Sequence, residues 1–137
     1  MHMFKEKLLA GHRILVTGGG SGLGKEFVEA YSSLGAEVHI CGRRGLVIKD
    51  TASEISDKTG GLVVAHVADI RAAGAVEKLI DDIWQGFGPL TGLVNNAAGQ
   101  IMSPTERLSV RGFDAVAATV FNGTYYVTHS VGKRWIQ

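Results

Sequence analysis

Excess charge of one sign, cysteine and proline are all scarce in this sequence. Its 14 Lys and Arg against 13 Asp and Glu leave a formal net charge of +1. No basic surplus is present to neutralise the phosphates of a nucleic acid or an anionic lipid surface, so neither is an expected partner. The single cysteine, Cys41, excludes an internal disulfide and a multi-cysteine zinc site, and it fits a reducing, cytoplasmic setting. No metal site is expected. With only 2 prolines, the chain has no Pro/Ser-rich linker, and it has no internal repeat. Met1 to Leu9 is polar and charged and lacks the apolar core of a signal peptide. The start Met1-His2-Met3 reads as a cloning remnant ahead of a natural start at Met3. One long uncharged run exists, from Ala115 to Gly132. It contains Asn122, His129, three Thr and two Gly, too polar for a lipid-exposed span, and is expected to be a helix buried on most sides in protein.

Glycine is what the sequence has in surplus. It supplies 19 of 137 residues, about twice its average share, and five of them crowd between Gly18 and Gly24. A hydrophobic content of 45% and a charged content of 20% are those of an ordinary globular domain with a real core. Residues 1–8 are expected to form an N-terminal extension, and 9–137 one domain.

The order of apolar patterns predicts that domain's architecture. Arg13-Ile14-Leu15-Val16-Thr17 is a short β-branched run that ends in the glycine cluster, a buried strand and sharp turn. A helix carries Phe27, Val28, Tyr31 and Leu34, and Gly35 stops it. Glu37 to Cys41 is a second strand. Leu46 to Lys58 is a helix with Ile48, Ala52 and Ile55 on one face, ended by Gly60-Gly61. Leu62 to Val67 is a third strand, closed by Asp69. Val76, Leu79, Ile80, Ile83 and Phe87 trace the next helix, which Gly88-Pro89 stops. Leu93-Val94-Asn95 is a fourth strand, and an irregular stretch runs to about Ser109. From about Arg111 a single long helix is expected, with Phe113, Val116, Val120, Thr124, Val127 and Val131 on one face. Strands alternating with helices of this length predict an α/β fold: a Rossmann-like, doubly wound parallel sheet, truncated, with strand order 3-2-1-4.

The glycine cluster lies between a strand and a helix, where backbone N–H groups and a helix N-terminus can hold a pyrophosphate. Three spacings compete for it. G-x-G-x-x-G started at Gly18 fails, because its last position is Leu23. The P-loop pattern matches Gly19, Gly24 and Lys25 but meets Glu26 where a magnesium-ligating hydroxyl is needed. T-G-x-x-x-G-x-G fits at Thr17, Gly18, Gly22 and Gly24.

That third pattern resembles the cofactor loop of the short-chain dehydrogenase/reductase family, and further features follow in the family's order. Asp69-Ile70 closes the third strand, Asn95-Asn96-Ala97-Ala98-Gly99 resembles the family's N-N-A-G after the fourth, and Asn122 lies inside the long helix. The resemblance covers the chain from about Leu9 onward. It implies cofactor contacts at Thr17, Gly18, Gly20, Ser21, Gly22, Leu23 and Gly24. Asp69 would accept from the adenine amino group and Ile70 would lie beside the ring, although Asp69 equally suits a cap for the following helix. Asn95 would tie the fourth strand to the first near Thr17. Ala97, Ala98 and Gly99 would let the ribose and nicotinamide lie against the backbone.

Cofactor preference is read at the end of the second strand. NAD-specific members of this fold place a carboxylate there for the ribose 2′-hydroxyl. Here the sequence is Ile40-Cys41-Gly42-Arg43-Arg44, with no acid and two guanidinium groups suited to a 2′-phosphate. The expectation is NADP(H), with Arg43 ahead of Arg44.

The segment from Asn96 to Ser109, with the glycine loop and Asn122-Gly123-Thr124, is similar to the 2,4-dienoyl-CoA reductase-like members of the family. The resemblance implies a small-molecule substrate, an unsaturated acyl-CoA, reduced with NADPH in a homo-oligomeric enzyme. Asn122 would donate to the thioester oxygen or organise a water beside it. A carbonyl or 3-oxoacyl reductase of the same family, or a non-catalytic NADP(H)-binding module, are the alternatives. The family's active-site tyrosine and lysine find no match. Neither Tyr125 nor Tyr126 has a lysine four residues on, and Lys133 follows His129 at that spacing. The chain therefore reads as a cofactor-binding N-terminal portion, expected to be inactive alone.

Overall fold

The first β-branched run forms β1 (Arg13–Thr17), and its alternation decides both faces of the sheet. Ile14 and Val16 enter one core cluster and Leu15 enters the other, as a strand buried on both sides requires. It is followed by α1 (Gly22–Ser33), β2 (Glu37–Gly42), α2 (Gly45–Thr59), β3 (Val63–Val67), α3 (Ala73–Gly86) and β4 (Gly92–Val94). The computed structural model describes residues 3–137. Met1 and His2 of the expected cloning remnant lie outside the described residues. All strand pairs are parallel and the order is β3-β2-β1-β4, the order the alternation of strands and helices predicts. Val16 sits in register with Ile40 on one side and Val94 on the other.

Helices α1 and α2 cover one face, where Val28, Ile48, Ala52 and Ile55 meet Ile14, Val16, Val38 and Ile40. The opposite face packs Leu15, Cys41 and Ile70 against Val76, Leu79, Ile80 and Ile83 of α3. Each such side chain contributes about 1.5–3 kcal/mol on burial. Truncating one to alanine would leave a cavity and cost about 2–5 kcal/mol.

A row of polar groups crosses this apolar sheet. The Arg13 guanidinium grips Glu37 on the neighbouring strand, Nε to Oε1 at 2.6 Å and Nη2 to Oε2 at 3.1 Å. Because a carboxylate only accepts, the fully buried His39 donates from Nε2 to Glu37 Oε1 at 2.8 Å. Burial lowers the pKa of His39 and so favours its neutral ring. Its Nδ1 then accepts from His66 Nε2 at 2.8 Å. Phe87 closes the pair edge-on, 4.7 Å from His39 between ring centroids. Every buried polar atom of the row has a partner, which is what such burial demands.

After β4 the chain makes a short 3₁₀ turn (Thr105–Arg107), then α4 (Val110–Ala117), a π-helical segment (Ala118–Gly123) and α5 (Thr124–Ile136). The single long helix expected from the sequence is thus broken by a π segment. The i→i+5 bonding adds residues to the turn, so the apolar stripe does not run straight through. Val127 and Val131 are buried on α3, whereas Phe113 and Val120, expected on the same face, are exposed. The expectation of burial on most sides is likewise corrected: Phe121 is 77% exposed and Tyr125 61%. Gly123 marks the docking point, since a Cβ there would lie 2.7 Å from Ile70 Cδ1. α5 is then fastened to α3 by Lys133 and Arg134 on Glu77 at 3.0 and 3.1 Å. Trp135 Nε1 also donates to the Leu90 carbonyl at 2.6 Å. Among the described residues no helix is long and apolar enough to cross a membrane.

Candidate functional site

Parallel strands that end on one side leave a crevice beyond their C-terminal ends. Here it is a cleft of about 570 Å³, a size usual for small-molecule sites. Its floor is the loop after β1. Gly18 holds a left-handed backbone (φ +66°), and a Cβ on it would lie 2.9 Å from Ala97 Cα. Its N–H donates to the Cys41 carbonyl at 3.0 Å, which ties the loop to β2. Gly19, which the matching pattern leaves free, is as constrained: a Cβ would meet Ile40 Cγ2 at 2.6 Å. A Cβ on Gly24 would collide with the Gly18 carbonyl and the Asn96 amide. The loop can therefore lie close to β2, β4 and α1 only as glycine. The first turn of α1 carries no acidic residue, which leaves the positive end of its dipole unopposed for an anion.

Gly22 is constrained by its backbone and not by close contact. A Cβ on it meets nothing within 4 Å; its constraint is a positive φ of 55°. Thr17 is 1% exposed and works beneath the cleft. Its Oγ1 accepts from the backbone N–H of Asn96 and of Ala97, both at 3.0 Å.

The link from the fourth strand to the first is made by Asn96, which corrects the role expected of Asn95. Asn96 Nδ2 donates to the carbonyls of Thr17 and Gly18 at 3.1 and 3.2 Å. The pleat explains the exchange. Leu93 packs with the α3–α5 face and Val94 with the α1–α2 face. Asn95 follows Leu93 and bonds Thr128 Oγ1 on α5 at 2.9 Å. Asn96 follows Val94 toward Gly18 and Gly24.

Around this floor the structure gathers Gly18, Gly20, Ser21, Leu23 and Gly24 from the loop, Arg43 and Arg44 after β2, Asp69 and Ile70 after β3, and Ala97 and Ala98 after β4. Arg43 and Arg44 are exposed at the rim. Ile70 is largely core, 6% exposed. Gly22, Gly99 and Asn122 do not line the cleft, although Thr119 of the same π segment does; Asn122 is exposed. Cys41 forms part of the wall, and burial pushes its thiol up to about 12, so it stays protonated and unreactive at neutral pH.

Sequence reasoning missed Arg71. Its Nε donates to Asp69 Oδ1 at 3.0 Å and its Nη2 to Oδ2 at 2.7 Å, while its backbone N–H also donates to Oδ1 at 3.0 Å. Arg71 beside it holds the Asp69 carboxyl below the usual range. Asp69 therefore caps the turn that precedes α3 and not the helix itself, whose N-cap is Ala72.

The profile of the short chain dehydrogenase family matches residues 12–137. A probable 2,4-dienoyl-CoA reductase of Caenorhabditis elegans is 40% identical over 136 residues, 98% of this chain and 44% of that protein. The chain thus spans about half the length of the curated relatives it matches. In solved structures, a citronellol catabolism dehydrogenase of Pseudomonas aeruginosa PAO1 superposes with a TM-score of 0.90 at 37% identity, over 96% of this chain and 54% of that one. A gluconate 5-dehydrogenase of Burkholderia cenocepacia in complex with NADP and tartrate gives 0.87 at 26% identity, over 96% of this chain and 51% of that one. With its parallel 3-2-1-4 sheet, its glycine-floored cleft and a profile match over nearly its whole length, the chain belongs to the short chain dehydrogenase family of oxidoreductases.

Proposed function

We propose that this chain is the NADP(H)-binding portion of a reductase acting on an unsaturated acyl-CoA. One observation carries the cofactor choice: where β2 meets the cleft the wall is Gly42, Arg43 and Arg44, with no carboxylate. Two exposed guanidinium groups suit a 2′-phosphate, which they bind through paired, charge-assisted hydrogen bonds. The glycine floor fits the rest of the group. Positions 18, 19 and 24 have no space for a Cβ, and the α1 N-terminus offers free N–H groups to a pyrophosphate.

The roles of the chain's residues follow from this. The loop from Gly18 to Gly24 orients the pyrophosphate, with Thr17 and Asn96 holding that loop to β4. Asp69 and Ile70 flank the adenine, and Ala97, Ala98 and Gly99 let the ribose and nicotinamide approach the backbone. A bound nicotinamide supplies the hydride. Addition at the remote end of a dienoyl thioester would move negative charge onto the thioester oxygen, and Asn122, outside the cleft lining but on the same π segment as Thr119 of its wall, would donate to that oxygen or to a water beside it. The likeness to a C. elegans protein named as a dienoyl-CoA reductase supports this substrate class. The enzyme works in the cytoplasm as a homo-oligomer. The family's tyrosine and lysine have no counterpart in this chain, so we assign it the binding share of the reaction.

Titration of NADPH and NADH fluorescence tests the cofactor reading: NADPH should bind at least about tenfold tighter, and equal affinity would remove it. NADPH oxidation by the whole enzyme, with a 2,4-dienoyl-CoA against a 3-oxoacyl-CoA, tests the substrate. Faster consumption of the 3-oxoacyl-CoA would move the assignment to carbonyl reduction, which the likeness to gluconate 5-dehydrogenase favours.

A further inference from the structure

Asp69 is an awkward residue for a cleft that takes phosphates. It shares the cleft wall with Arg43 and Arg44, and its carboxyl is lowered chiefly by the Arg71 hydrogen bond and least by the charge of Arg43. A bare carboxylate here would repel an incoming phosphate and compete with it for Arg43. Arg71 meets both oxygens of that carboxylate, with Nη2 on Oδ2 at 2.7 Å and Nε on Oδ1 at 3.0 Å. Paired geometry of this kind is the strong form of the ion pair. The intervening Ile70 is buried and wedged against Gly123, so the backbone that carries the pair is fixed to the core. Arg71 itself forms part of the cleft wall.

We propose that Arg71 is a specificity-determining positioning residue, which neutralises Asp69 and thereby leaves Arg43 free for the cofactor's 2′-phosphate. The inference rests on the NADP(H) reading above and extends it. Without Arg71, the Asp69 carboxylate draws Arg43 to itself, and the cleft loses its advantage for the phosphorylated cofactor. NADH, which brings no 2′-phosphate, is indifferent to that exchange. Arg71 is exposed and Asp69 only part-buried, so replacing either leaves the core packing intact.

The chain, Arg71→Ala, Asp69→Asn and the double variant are each titrated with NADPH and NADH, and the ratio of the two affinities is the readout. A contact of Asp69 with the adenine affects both cofactors alike and cancels in that ratio. Arg71→Ala should lower the NADPH preference about tenfold, the size of one charge-assisted contact. Adding Asp69→Asn should restore the ratio to within about twofold of the parent. A ratio unchanged in Arg71→Ala, or one that stays low in the double variant, overturns the proposal and leaves the NADP(H) reading standing. A parent chain that shows no preference for NADPH, or binds neither cofactor, overturns that reading and this proposal with it.

Discussion

Acidification should destabilise this fold through the row Arg13–Glu37–His39–His66, and the structure sets the size of the effect. Burial, then the neighbouring His39, push His66 down from its ordinary 6.5 to about 4 against a small opposing pull from Asp82. Burial also lowers His39. Between those values the unfolded chain binds protons that the native chain refuses, so stability rises with pH. The contribution is fully present above about 6.5, fades as pH falls, and is gone below about 4. Glu37 acts in the same direction. Arg13 holds its carboxyl below the usual range, so its contribution is present above the ordinary carboxylate value and lost as pH falls through the native one. The drop at His66 corresponds to about 3 kcal/mol. Solvent reaching this half-buried ring reduces it to about 1–2 kcal/mol, still large beside a typical total of about 5–15 kcal/mol. Urea denaturation at pH values from about 7.5 to 4.5 measures it. His66→Gln keeps an N–H donor for His39 Nδ1 but does not titrate, and its stability should vary less with pH by about that amount. A parent whose stability is flat across the range, or a variant with the same slope, would refute the account.

Three further outcomes are expected. Arg43→Ala should weaken NADPH about ten- to a hundred-fold and NADH far less; equal losses in a fluorescence titration would show that Arg43 does not read the 2′-phosphate. Gly24→Ala should cost about 1–3 kcal/mol through overpacking against Gly18 and Asn96 and abolish NADPH binding, whereas Gly22→Ala should cost about 1–2 kcal/mol of backbone strain and leave binding measurable; an NADPH titration separates them, and equal losses of binding would sink the distinction. Val110, Phe113, Phe121 and Tyr125 are exposed along the helical segments after β4, apolar surface of the kind that drives association. Light scattering should find a dimer or larger, with Phe121→Glu shifting it toward monomer, and a monomeric parent would refute this.

Much of the fold was legible because its signals are local. β-branched and apolar runs directly bordered by glycine announced the strands, and their alternation with amphipathic helices left few parallel topologies open. Where a pattern carried residue types without the pleat, the reading slipped. Asn95 and Asn96 differ only in which face of β4 they continue, and that parity depends on Leu93 and Val94 having chosen opposite cores. The π segment left no mark in composition; it coincides with the close approach of Gly123 to Ile70, two residues far apart in sequence. Arg71 stood outside every motif, and only the meeting of its guanidinium with Asp69 gives it a place in the site.

The division between the glycine floor and the arginine rim has a consequence for how such a domain can change over time. At the floor, a Cβ on Gly18, Gly19 or Gly24 would meet backbone or core atoms at distances that leave no room for it, so variation there costs stability through overpacking. At the rim, Arg43, Arg44 and Arg71 are exposed, and surface replacements of that kind usually move stability by less than about 0.5 kcal/mol. On the proposed NADP(H) reading, the grip on the invariant part of a dinucleotide is tied to the architecture, while the choice between its phosphorylated and plain forms rests on side chains that can drift. On that reading, a lineage built on this chain would exchange one cofactor pool for another by a few rim substitutions, without passing through an unfolded ancestor.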